Sequence, residues 1–88
     1  MDESIENRRK KLLYRASYRG FKEADLLIGG FARTHLGDMS AADLDEFETL
    51  LTHNDRDLYA WATGKVEPPA DIEGPVFAKL RAFDLQNL

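Results

Sequence analysis

Cysteine is missing from all 88 residues. That excludes disulfides, thiolate zinc sites, iron–sulfur clusters and a thiol nucleophile, and it fits a reducing compartment. Histidine occurs twice, as His35 and His53, and neither has a second imidazole at metal-ligand spacing. His35 reads as a helix-end packing residue, His53 as loop surface before a helix cap, and no metal site is expected. No apolar run approaches the ~18–20 residues of a membrane span. Runs of alternating β-branched and aromatic residues are also missing, so no strand is predicted. Gly29–Gly30 follows no strand and is no phosphate-cradling fingerprint. With no nucleophile–base pair and no metal, no catalytic residue is assigned.

What remains is an apolar fraction of 43% and a charged fraction of 32%, the composition of one small globular domain covering residues 1–88. A chain this short buries only roughly 60–65% of its unfolded surface, so the core must be thin. The net charge of −4 conceals a division. Residues 1–22 carry seven basic and three acidic residues, whereas residues 23–88 carry five basic and thirteen acidic. The first part suits an acidic partner, and the second repels nucleic acid and anionic lipid. Asp2, Glu3 and Glu6 argue against a mitochondrial presequence, and the N-terminus lacks a secretory apolar core, which leaves a cytoplasmic bacterial protein as the expectation.

Helical periodicity with matching punctuation appears five times, which predicts an all-α, compact five-helix bundle. The first helix spans about residues 3–19, with Ile5, Leu12, Leu13 and Ala16 inward and Arg8, Arg9, Lys10 and Lys11 mostly outward. Gly20 fits the position after its end, where a left-handed backbone favours glycine. The second helix runs from about Phe21 to Leu36, and Gly29–Gly30 inside it implies a close helix crossing, with Gly37 as the stop. Ser40 caps the third helix, with Asp43 placed for a capping box. Asn54 caps the fourth, Asp55 and Asp57 favour its N-terminal dipole, and Gly64 ends it. Pro75 opens the fifth.

A helix-turn-helix reading fails on charge. The segment AADLDEFETLL, in the recognition position, has four acids and no cation. Protein binding is left, and YRASYRGFKE (14–23) is the best candidate. Arg15 and Arg19 share one side of the first helix, with Lys22 beyond the joint, and arginine offers planar recognition of carboxylates. An internal Arg19–Glu23 ion pair clasping the corner is the competing arrangement. Tyr14, Tyr18 and Phe21 suit either a core or an interface centre.

Arg19-Gly20-x-x-Glu23 is followed in order by DLLIGGFA (25–32), FETLL (47–51) and NDRDLYAWATG (54–64). This succession, over residues 8–64, resembles the SdhE family of succinate dehydrogenase assembly factors. One departure is Phe21, where relatives commonly carry Met. The resemblance implies a five-helix bundle that assists covalent attachment of FAD to the flavoprotein subunit of succinate dehydrogenase, and in bacteria often of fumarate reductase too. It implies a chaperone-like, non-enzymatic role, with the flavin–histidine bond formed on the client and no cofactor held stably by this chain. Arg15, Arg19, Gly20, Phe21, Lys22 and Glu23 become the candidate client-docking residues, and Glu48, Asp55, Asp57 and Trp61 a second candidate contact, although Trp61 on an apolar face also suits core packing. A monomer is expected, without membrane insertion. Some family members are linked to toxin–antitoxin pairs, so an antitoxin-like regulatory interaction module is the alternative.

Overall fold

The computed structural model describes residues 4–86. It is an all-α bundle of five helices: α1 (Ile5–Ser17), α2 (Lys22–His35), α3 (Ala41–Leu51), α4 (Asp55–Ala62) and α5 (Pro75–Gln86). Short 3-10 turns, Leu36–Asp38 and Ala70–Ile72, lie before α3 and α5. Among the described residues no helix is long and apolar enough to cross a membrane.

The helix starts follow local chemistry. Ser4 caps α1, its hydroxyl accepting from the Asn7 amide at 3.1 Å, so the helix begins at Ile5. The expected start at residue 3 lies outside the described residues. Ser40 and Asp43 form the anticipated capping box on α3, each side chain accepting from the other's backbone N–H. Asn54 caps α4. That helix ends at Gly64, whose φ of +79° is the one left-handed backbone among the described residues. Helix α2 stops one residue early and tightens into the 3-10 turn containing Gly37.

The core forms where the apolar faces of the five helices meet. Phe31 of α2 is fully buried against Phe47 of α3, with ring centres 5.8 Å apart, and against Phe83 of α5 at the same distance. Leu12, Ala16, Ile28, Leu44, Leu58, Phe77 and Leu80 close around them. Helices α1 and α2 cross tightly, since a Cβ on Gly29 would stand 3.2 Å from the Ser17 Cα. That proximity offsets the propensity penalty of glycine inside a helix. His35 packs at the helix end as expected, its ring centre 4.8 Å from Phe31.

Two expectations about α1 need correction. Ile5 is 43% exposed rather than inward, because the first turn projects past the core. Arg8 and Arg9 are half-buried rather than simply outward. Arg8 reaches Asp45 and Glu48 of α3, and those carboxylates raise its already high pKa. Arg9 donates to the Leu36 and Met39 carbonyls at 3.0 and 2.9 Å, latching α1 onto the turn that follows α2.

Candidate functional site

The bend between α1 and α2 brings Arg19, Gly20 and Glu23 together, but not as an ion pair. Arg19 turns inward, with its side chain only 8% exposed. Its guanidinium donates to the Leu51 and His53 carbonyls, both at 3.1 Å, and pairs with Asp55 Oδ1 at 2.6 Å. Leu51 is the last residue of α3 and His53 lies just beyond its cap, so a buried cation satisfies carbonyls at this helix end and complements the helix's dipole. The Arg19–Glu23 clasp is therefore replaced by an Arg19–Asp55 pair. An acid four residues away on a new helix lost to one thirty-six residues away, because the α3–α4 connection folds directly over Arg19. Arg19 Nε is buried and has no hydrogen-bond partner among the described residues.

Gly20 is needed for proximity. The expectation of a left-handed backbone fails: its φ is not positive. Its amide donates to Asp55 Oδ2, and a Cβ at this position would fall 2.6 Å from that oxygen. One carboxylate thus holds the Gly20 amide with one oxygen and the Arg19 guanidinium with the other. Asp25 adds a second backbone tie, accepting from the Arg19 amide. Phe21, which precedes α2 without a side-chain cap, faces α4. Its ring stands edge-on to Tyr59 at 5.3 Å, with the Arg56 guanidinium 5.2 Å from its centre.

The side chains left outward are Lys22 and Glu23, both exposed, with no ion pair among the described residues. Glu23 borders a cleft of about 380 Å³ whose lining includes Leu26, Tyr59 and Phe83. Arg15 is half-buried and approaches Glu48 Oε2 at 3.7 Å.

Of the second group, Asp55 belongs to this corner and Glu48 joins α1 through Arg8 and Arg15. Trp61 is half-buried against the core, with the His53 ring edge-on at 5.3 Å, so His53 is less of a surface residue than its loop position suggested. Asp57 stands apart, exposed in the first turn of α4. The sequence reading missed Asp25. The trace of it was an acid in the first turn of a helix whose entering residue cannot cap.

Comparison with known proteins gives the chain's family. The family model described as "Flavinator of succinate dehydrogenase" matches residues 10–84. A protein of Candida glabrata named succinate dehydrogenase assembly factor 2, mitochondrial, is 44% identical over 63 residues, covering 72% of this chain and 41% of its own length. The like-named protein of Yarrowia lipolytica is 39% identical over 83 residues, 90% of this chain and 57% of its own. The chain thus spans about half the length of the curated relatives it matches. Their names place them in mitochondria and lend the expected cytoplasmic location no support. With a match over most of its length, the chain belongs to the Sdh5 family, the flavinators of succinate dehydrogenase.

Proposed function

We propose that this chain is a non-enzymatic assembly factor that docks on the flavoprotein subunit of succinate dehydrogenase and promotes covalent attachment of the FAD carried by that client. The observation that carries the reading is the Gly20 corner. Its backbone is fixed by Asp55 with no room for a side chain, while Lys22 and Glu23 beside it are exposed and have no ion pair among the described residues. A rigid backbone edge flanked by two free charges is built for close approach to another protein.

The mechanism is positional. Bond formation on the client requires flavin and histidine in near-attack geometry, and correct placement alone lowers a barrier by several kcal/mol. A factor that binds the closed client better than the open one shifts its population toward that geometry. Glu23 and Lys22 meet the client, Arg15 assists encounter through its charge, and Arg19 acts through the Leu51–Asp55 segment that it fastens. Fumarate reductase, with its related flavoprotein, is a second client in this scheme.

The test is to express the client flavoprotein with and without this chain and measure the flavin that survives acid precipitation. The reading requires a complex of the two proteins and more covalent flavin when the chain is present. Equal covalent flavin in both samples refutes it, and capture of a different partner with no flavoprotein points to the regulatory alternative.

A further inference from the structure

A second surface feature lies on the outer face of α1. Lys10, Leu13, Tyr14, Ser17 and Tyr18 follow the i, i+3, i+4, i+7, i+8 stripe of one helix face, and with Arg33 of α2 they line a groove of about 410 Å³. Tyr14 and Tyr18 are 67% and 70% exposed, and their rings lie 4.7 Å apart. A small protein with a thin core would gain by burying two such rings, yet both stand in solvent. Aromatic residues grouped at one exposed spot mark interfaces.

The charges around them are as unusual. Arg8, Arg9 and Arg19 of this segment are each matched by a carboxylate of the chain itself. Lys10 and Arg33 have no such partner among the described residues, and no carboxylate lines the groove. In a chain whose net charge is −4, an aromatic groove with two uncompensated cations and no acid is set apart from the rest.

We propose that this groove is a docking site for an acidic peptide segment, an extended stretch in which an aromatic or large apolar residue is flanked by Asp or Glu. The eight residue steps from Lys10 to Tyr18, the cap of α1, rise about 12 Å. That length matches roughly four residues of extended chain. The apolar side chain sits against the tyrosine rings and Leu13, while carboxylates on either side reach Lys10 and Arg33. Nucleic acid fits less well, because its charge repeats along the whole strand and extends past the groove over a region with thirteen acids in residues 23–88, whereas a short peptide keeps its carboxylates at Lys10 and Arg33. The groove is distinct from the Gly20 corner, and its occupant is defined by chemistry alone, whatever that corner binds.

The experiment titrates the isotope-labelled full chain, followed by amide NMR, with an eight-residue peptide of two phenylalanines flanked by glutamates. A lysine-for-glutamate counterpart and an oligouridylate serve as the other probes. Expected are saturable shifts at the amides of residues 10–18 and 33, weakened by salt. Affinity should fall about tenfold or more in Lys10→Glu/Arg33→Glu and in Tyr14→Ser/Tyr18→Ser, both with otherwise unchanged spectra. No saturable shift with the acidic peptide at about 1 mM overturns the proposal. So does equal binding of the lysine counterpart, tighter binding of the oligouridylate, or unweakened binding by either folded variant.

Discussion

Two corners of this molecule use the same local device for different ends. At the α1–α2 bend, Asp55 reaches back to the Gly20 amide, and a Cβ on Gly20 would stand 2.6 Å from its oxygen. At the start of α5, Glu46 of α3 accepts from the Val76 and Phe77 amides at 3.1 and 2.9 Å. A Cβ on Gly74 would stand 2.7 Å from that carboxyl carbon. In both places a carboxylate from another helix takes up backbone N–H groups, and only glycine leaves it space. At α5 that is the whole arrangement, a helix N-terminus capped from a distance. At Gly20 a buried arginine is added, and the two residues that follow Phe21 have no ion pair among the described residues. The α5 corner closes a helix, while the α1–α2 corner holds an edge open to the outside.

The comparison can be broken by removing each carboxylate. Asp55→Ala leaves the Arg19 guanidinium nearly buried without its counter-charge. We expect a loss of about 2–3 kcal/mol, below the usual cost for a fully buried pair because Asp55 itself is 30% exposed. Glu46→Ala frees two amides at one helix end and should cost about 1–2 kcal/mol. Urea unfolding checks both, and amide exchange should show the Glu46 effect concentrated in the first turn of α5. Equal losses would mean that Arg19 adds nothing to its corner.

Smaller changes sharpen the contrast. Gly20→Ala and Gly74→Ala should each cost about 1 kcal/mol or somewhat more, since the added methyl displaces a carboxylate rather than filling space. Amide NMR of the Gly20 variant should show shifts reaching Leu51–Asp55 through the shared Asp55, while those of the Gly74 variant stay near α5 and Glu46. Glu23→Gln should change stability by less than about 0.5 kcal/mol, because an exposed, unpaired carboxylate contributes little to folding.

Much of the fold was legible because it is written locally. Ser40, Asn54, Gly64 and Pro75 mark helix ends through their own conformations and side chains. The corner was legible only as a location. The motif RGFKE announced a joint with charges, but its nearest acid was not the one used. Arg19 is matched with Asp55 because α3 ends and α4 begins directly above it, a fact of tertiary packing that no local spacing contains. Gly20 was misread for the same reason. Glycine after a helix usually means a left-handed turn, and here it means that another helix's carboxylate is in the way. Gly20→Arg, at first sight a clean probe of docking, therefore disturbs Asp55 as well, and Glu23 is the better residue with which to separate presentation from folding.

The central claim, that the Asp55-held corner presents Glu23 to a flavoprotein client, is tested most directly by one measurement. Covalent flavin on the succinate dehydrogenase flavoprotein is quantified after co-expression with the natural chain or with Glu23→Gln, alongside the unfolding midpoint of each. The account predicts an unchanged midpoint and a severalfold fall in covalent flavin. Covalent flavin at the natural level with the equally stable variant would contradict it.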